Sequence, residues 1–180
     1  MSDQDQKPPS EPPVQRQRTQ TLERLWVEIA KLIEGSHLFR SLDDAGRQSL
    51  IKRGQLMMYP AGTVIVREGE VGESFFLIDS GVVEVVTQSS TAGDVSLTTL
   101  QRGAFFGEVS VVTHAPRTAT VTALTDVTAV AFDQRDVDSL LANNPKAKRL
   151  LEAVMTGRAR DAAEKVAKAS TMPPPGDDDE

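Results

Sequence analysis

Hydrophobic residues follow two different spacings along the chain. Between residues 55 and 132 they fall on every second position or in short valine-rich runs, and glycine or aspartate interrupts them at close intervals. Alternation with a period of two is typical of half-buried strands, and frequent short turns favour a small antiparallel barrel or sandwich. The pattern predicts strands over 55–59, 63–67, 74–79, 81–87, 95–100, 118–123 and 127–132.

Helical spacing precedes the strands. Apolar residues recur three or four positions apart over 21–34, and Gly35 follows as a stop signal. A second, shorter helix is predicted over 43–53, with Asp43 or Ser41 as its N-cap. These segments are expected to pack against the barrel through their apolar faces.

Helical spacing returns after the last strand. It predicts a helix over 133–143, a stop and restart at Asn144 and Pro145, and a longer helix that ends near residue 169. Most of the large apolar residues of this last helix lie in its first half. Its second half is therefore expected to be the less firmly packed part.

The tails differ in composition from the centre. Four of the ten prolines fall within 1–18 and three within 170–180, among polar or charged neighbours that offer no core to bury. The expected organisation is a disordered tail over 1–18, a helical segment over 19–53, a barrel over 54–132, C-terminal helices over 133–169 and a disordered acidic tail over 170–180. The fold class is mainly β with flanking helices, a double-stranded β-helix of the jelly-roll or cupin-like type.

Composition excludes several classes of protein. The chain has no cysteine, so disulfides, thiolate catalysis and cysteine-ligated metals are ruled out. Its net charge of −6 and the absence of a basic cluster argue against nucleic-acid binding. No apolar run approaches the ~20 residues of a membrane helix, and the N-terminus has no signal-peptide core. A cytoplasmic protein without a membrane span is expected.

A cupin-like metalloenzyme is the rival from another class. Such a site needs about three converging imidazole or carboxylate ligands. The only histidines are His37, in a predicted linker, and His114, in a predicted loop. Nucleophile motifs are also missing. The chain is therefore expected to be neither an enzyme nor a metal-binding protein.

The candidate chemistry lies in residues 105–123, where Gly107, Glu108 and Arg117 surround one short helix. Glycine lets the backbone approach a ligand, and free N–H groups at a helix start attract anions. A guanidinium matches two phosphate oxygens, while a carboxylate beside such a site accepts a hydrogen bond from a sugar hydroxyl. The simpler interpretation is a turn glycine and a surface ion pair worth about 0–1 kcal/mol. The order of the three residues between strand-like segments favours a sugar phosphate site.

Residues 106–110 and 116–121 resemble the phosphate-binding cassette of cyclic-nucleotide-binding domains, which occur in protein kinase A regulatory subunits, nucleotide-gated channels and bacterial catabolite activators. The similarity extends upstream through 59–65 and 68–85 and covers roughly 36–143. It implies that Glu108 binds the ribose 2′-hydroxyl, that Arg117 binds the exocyclic phosphate oxygens and that Gly107 and Ser110 offer backbone amides. The ligand-binding residues expected from it are Phe106, Gly107, Glu108, Val109, Ser110, Pro116, Arg117, Thr118 and Ala119.

The resemblance also implies a lid. The C-terminal helix would close over the base, with Met155 and Arg158 as candidate base-facing residues, although a core methionine and a solvated arginine are the simpler interpretations. Thr118 leans toward cGMP, but cAMP-preferring members also carry threonine at this position, so both ligands stay open. No cofactor other than the nucleotide is expected.

The expected function is a cyclic-nucleotide sensor that signals in trans through movement of its C-terminal helix, to an unidentified effector protein or within a homodimer formed by that helix. The alternative is a domain of the same family that has lost nucleotide binding and serves as an interaction or scaffold module. Val109 and Ser110, which replace the Leu-Ala of many cAMP binders, favour this alternative. Glu108 and Arg117, both present, favour the sensor.

Overall fold

The computed structural model describes Val27 and residues 30–171. Residues 30–35 are helical and form α1. The other helices are α2 (His37–Arg40), α3 (Asp44–Arg53), α4 (Glu108–Thr113), α5 (Gln134–Asn143) and α6 (Pro145–Thr171). The strands are β1 (Gln55–Tyr59), β2 (Val64–Val66), β3 (Ser74–Ser80), β4 (Val82–Ser89), β5 (Gly93–Gln101), β6 (Phe105–Phe106), β7 (Thr120–Ala123) and β8 (Val127–Asp133).

The strands form two four-stranded antiparallel sheets. One sheet has the order β1-β8-β3-β6, and the other has the order β2-β7-β4-β5. Gly81 makes the tight connection between β3 and β4. It has φ +86°, and an added Cβ would lie 2.2 Å from the carbonyl oxygen of Asp126, so only glycine fits there. This turn fixes how the two sheets face each other.

Two apolar clusters hold the molecule together. One fills the space between the sheets and includes Val66, Phe76, Ile78, Val83 and Val121. The other lies between the first sheet and the helices, and it contains buried residues from α1, α2, α3, α5 and α6. Val111 of α4 is fully buried in this second cluster, so the short helix near the candidate site packs against the helical layer.

Side chains cap the helices that flank the barrel. Asp43, rather than Ser41, caps α3, because its carboxylate accepts a 2.8 Å hydrogen bond from the Gly46 amide. Asp133 caps α5 in the same way through the Arg135 amide, at 2.9 Å. Buried Asn144 accepts from the Asp43 amide at 3.3 Å, which ties the start of α3 to the end of α5.

The predicted jelly-roll fold is confirmed. Every predicted strand is present, and strand ends shift by two residues at most. The structure adds β6 and α2, both too short to show a period, and α2 begins at His37, where a linker was predicted. The helix predicted to end near 169 continues to Thr171. The predicted tail over 1–18, residues 172–180 and most of the helix predicted over 21–34 lie outside the described residues.

Candidate functional site

The short helix α4 begins directly after β6, with Gly107 as its N-cap. Gly107 has φ +83°, and an added Cβ would lie 2.7 Å from Arg117 Nη1 and 2.7 Å from the Ser74 carbonyl oxygen. The position therefore requires glycine for its backbone angle and for its clearance. No side chain caps the helix, so the amides of its first turn stay available to a ligand.

Arg117 is brought to this glycine by backbone pairing with the loop between β2 and β3. The Arg117 amide donates to the Glu70 carbonyl oxygen at 2.8 Å, and the Gly69 amide donates to the Arg117 carbonyl oxygen at 2.9 Å. The guanidinium then donates from Nη1 to the Gly107 carbonyl at 3.0 Å and from Nη2 to the Ser74 carbonyl at 2.8 Å. These bonds fix both ends of the side chain.

The charge of Arg117 is buried and lacks a direct counter-ion. The residue is only 7% exposed, and no carboxylate in the described part of the chain lies within ion-pair distance of it. Burial lowers the pKa of Arg117 from its usual value, and the nearby Glu108 carboxylate partly offsets that effect. A guanidinium has five N–H donors. Two of the five are used by carbonyl oxygens, so three remain for an anion.

Glu108 lies in the first turn of α4 and is only 3% exposed. Its Oε1 accepts a 2.7 Å hydrogen bond from Arg158 Nη1, which reaches it from α6. The same nitrogen donates to the Phe105 carbonyl at 2.9 Å, and the Arg158 guanidinium carbon lies 4.7 Å from the centre of the Phe105 ring. Among the described residues no donor reaches Oε2 of Glu108. That oxygen is therefore free to accept from a hydroxyl.

The remaining predicted site residues lie near Arg117 and Glu108 along the chain and differ in how deeply they are buried. Phe106 is buried and stacks on Phe76 with ring centres 4.8 Å apart. Ser110 is buried, Val109 and Ala119 are half-buried, and Pro116 and Thr118 are exposed. All of them lie within β6, α4 or the segment that leads into β7.

Of the two residues assigned to the base, Arg158 contacts Glu108 and Phe105, whereas Met155 packs against the helical apolar cluster. Their contact with a base therefore stays a prediction.

Several residues of the site could not be identified from the sequence. Ser74 contributes only a carbonyl oxygen, and Phe105 contributes a carbonyl and a ring face. Gly72 leaves room for the Arg117 side chain, since an added Cβ would lie 1.9 Å from Arg117 Nε. Backbone atoms and missing side chains leave no chemical signal in a sequence, and Gly72 resembles any other turn glycine.

Within Val27 and 30–171, no group of three or more histidine or acidic side chains is placed to hold a metal ion. Over the same residues, no helix combines the length and hydropathy needed to cross a bilayer.

Comparison of the sequence with known proteins identifies the family of the region that contains the site. Residues 56–144 match the family model described as the cyclic nucleotide-binding domain. Residues 56–144 thus belong to that family, and this region matches regulatory domains that are not catalytic.

Individual relatives include the cAMP-dependent protein kinase regulatory subunit of Schizosaccharomyces pombe, which is 35% identical over 112 residues, or 62% of this chain and 26% of the relative. The Thermus thermophilus catabolite activator protein superposes with a TM-score of 0.63 at 26% identity, over 74% of this chain and 62% of that one. The regulatory subunit of a cAMP-independent protein kinase A from Trypanosoma brucei has the same fold, with a TM-score of 0.61 at 21% identity, over 66% of this chain and 44% of that one. The chain thus spans less than two thirds of each relative.

Proposed function

We propose that the chain binds a cyclic nucleotide, cAMP or cGMP, and reports its occupancy in trans through α6. One observation carries the proposal: among the described residues, the buried guanidinium of Arg117 has no carboxylate partner, and only two of its five N–H donors are used, both by backbone carbonyls. A buried cation without a counter-ion is costly unless an anion completes it. A cyclic phosphate supplies that anion.

The ribose is assigned to Glu108. Its Oε1 is held by Arg158, and its Oε2, which no donor of the described residues reaches, can accept from the 2′-hydroxyl of a nucleotide whose phosphate lies on Arg117. A second anionic group at this carboxylate would be repelled, so the site selects one phosphate and one hydroxyl. This is the arrangement that a cyclic nucleotide presents, because its phosphate is closed onto its own ribose.

The relatives support this assignment in part. The fission yeast relative is named as cAMP-dependent, whereas the trypanosome relative with the same fold is named as cAMP-independent. The fold alone therefore does not identify the ligand. The proposal rests instead on Glu108 and Arg117 of this chain and on their partners.

Signalling would use the contact between Glu108 and Arg158. A ligand hydroxyl on Glu108 changes the electrostatic environment of Arg158, and Arg158 lies on α6. Occupancy would thus shift α6 between two positions, which an effector protein or a second copy of the chain could recognise in the cytoplasm. In this proposal the regulatory role depends on the coupling between nucleotide binding and the position of α6, and it requires no catalysis.

The alternative is an interaction module that binds no nucleotide. The observation that favours it is again the Arg158–Glu108 pair, because the carboxylate assigned to the ribose already has a protein partner at 2.7 Å. In such a module Arg158 would take the place of the ligand as the counter-ion of Glu108. The two functions differ in one property, nucleotide affinity, and a binding measurement separates them.

The melting temperature, measured with and without cAMP, cGMP and non-cyclic 5′-AMP, tests the proposal. A ligand at 100 times its dissociation constant adds about 2.7 kcal/mol to the free energy of unfolding. For a chain of this size, each kcal/mol raises the midpoint by about 2–4 °C. A rise of about 5–10 °C with one cyclic nucleotide, and none with 5′-AMP, supports the sensor and names its ligand. No shift with either cyclic nucleotide would favour the interaction module.

A 2′-deoxy cyclic nucleotide is expected to bind the wild-type protein about 10- to 150-fold more weakly, because a hydrogen bond to a charged group is worth about 1.5–3 kcal/mol. Glu108→Gln should lower the affinity for the parent nucleotide. The difference in affinity between the parent and the 2′-deoxy nucleotide should then largely disappear. Isothermal titration of both ligands against both proteins measures the effect. An undiminished difference in the variant would remove Glu108 from the ribose site.

A further inference from the structure

The two sheets have four terminal strands, and these strands differ in how they are protected from pairing with another chain. β6 has only two residues, and β2 has three, with a register shift between Val64 and Val66. β5 is longer, but α6 contacts it, since Lys165 donates to the Leu97 carbonyl. Short strands, irregular pairing and a covering helix are common means by which proteins protect the edges of sheets.

β1 has none of these protections within the described chain. It is five residues long and pairs with β8 in one unbroken register from Gln55 to Tyr59. Its sequence, Gln-Leu-Met-Met-Tyr, contains no charge, glycine or proline. No described strand lies on its other side, so alternate N–H and C=O groups of β1 point away from the sheet.

The side chains of β1 are exposed on both faces of the sheet. Met58 is 76% exposed, and Met57 is 38% exposed. Successive residues of a strand point to opposite faces, so a helix lying on one face would cover only one of these methionines. A strand placed alongside β1 contacts both. The edge therefore fits an extended segment.

The charges around β1 favour a second copy of β1 in antiparallel orientation. Before the strand, α3 ends in Lys52 and Arg53. After the strand, the Asp126 carboxylate accepts a 2.9 Å hydrogen bond from the Ala61 amide. Antiparallel pairing brings the start of one strand beside the end of the other, so exposed Lys52 of each copy approaches exposed Asp126 of the other copy. Parallel pairing would set like charges side by side.

We infer that the chain forms a symmetric dimer in which β1 pairs with β1 of a second copy, with Met57 at the two-fold axis. In this register Met58 lies opposite half-buried Leu56 of the other copy, and its flexible thioether packs on that side chain. Two-fold symmetry makes each such contact twice. The β1-containing sheets of the two copies then join as one sheet of eight strands.

Pairing at β1 leaves the candidate site accessible. β1 and β6 lie at opposite edges of the same sheet, and β6 is the strand that leads into α4. The inference therefore goes beyond the proposed function and does not require nucleotide binding. It assigns a second copy of the chain to a surface other than α6.

Sedimentation equilibrium of the ligand-free full chain, from about 1 µM to about 1 mM, tests the inference. Wild type should pass from monomer to dimer within this range, because five-residue strands form a small interface. Met57→Lys and Met57→Glu each set two like charges opposite each other at the axis, so each should raise the dissociation constant of the dimer about tenfold or more. An equimolar mixture of the two variants pairs lysine with glutamate and should restore association. Monomeric wild type throughout, or a dimer that neither substitution weakens, would overturn the inference.

Val71→Lys is the matched control. Val71 is 84% exposed in the loop between β2 and β3, so the substitution adds the same charge away from β1. This variant should associate like wild type. A loss equal to that of Met57→Lys would indicate a general charge effect and contradict an interface at β1.

Crosslinking tests the register without a change of charge, and it stands even if the charged variants do not fold. The chain contains no cysteine, so Met57→Cys and Met58→Cys each carry a single thiol. Opposite residues of an antiparallel pair have Cα atoms about 4.5–5.5 Å apart, which a disulfide can span. Under mild oxidation Met57→Cys should form a linked dimer, whereas the two residues at position 58 lie diagonally across the pair and should link far more slowly. Equal rates would overturn an axis at Met57.

Discussion

Arg117→Ala is expected to lower the affinity for the cyclic nucleotide by about 2–5 kcal/mol, which is about 30- to 5,000-fold. The guanidinium is buried, two backbone carbonyls hold it in place, and its remaining donors face no carboxylate of the described chain. Its removal leaves a bound phosphate without a charge partner in a partly desolvated site. Titration calorimetry with the nucleotide identified by the melting experiment measures the loss.

Two further variants make this result specific. Arg117→Lys keeps the charge but loses the planar fork, so its affinity should lie between those of wild type and Arg117→Ala. Arg53→Ala removes the same charge from a half-exposed side chain that pairs with Asp136, and it should bind like wild type. Wild-type affinity in Arg117→Ala would eliminate the phosphate assignment. Equal losses in Arg117→Ala and Arg53→Ala would indicate a general charge effect.

Folding must be checked in the same variants. The carbonyl oxygens of Ser74 and Gly107 each lose a donor in Arg117→Ala, and a buried polar group without a partner costs about 1–3 kcal/mol. Melting without ligand shows whether the variant is folded at the temperature of the titration. If it is not folded, Arg117→Lys is titrated in its place. Its ammonium can still donate to one of these carbonyls, so it should be destabilised less.

The sequence predicted the cassette because its information is local. Gly107, Glu108 and Arg117 lie within eleven positions, and each carries a side-chain property that a phosphate or a sugar requires. The strands were equally accessible, since alternation over five to nine residues leaves a clear period. The two-residue β6 and the four-residue α2 were missed, because neither leaves a period of its own in the sequence.

What the sequence could not predict is the partner of each site residue. Arg158 was assigned to the base because it lies on the C-terminal helix, but its guanidinium contacts Glu108, fifty positions earlier. Ser74 was not identified, since a carbonyl oxygen belongs to every residue. Such contacts depend on how α6 packs on the rest of the fold, where Leu151 is buried in the helical apolar cluster.

Leu151→Ala is the second large expected effect, a loss of about 2–5 kcal/mol in the free energy of unfolding. Leu151 is 1% exposed and borders an apolar cavity of about 20 Å³ that Leu38, Phe39 and Leu140 also line. Because a cavity already exists there, truncation enlarges it rather than allowing collapse. Thermal melting should show a midpoint about 4–20 °C lower.

Leu150→Ala provides the comparison, since it makes the same chemical change one position earlier, where the side chain is 37% exposed. It should cost less than about 1 kcal/mol, because little apolar area leaves the core. Leu151→Met, which nearly conserves volume, should also stay within about 1.5 kcal/mol. Similar losses for Leu150→Ala and Leu151→Ala would mean that the first half of α6 is not anchored through Leu151.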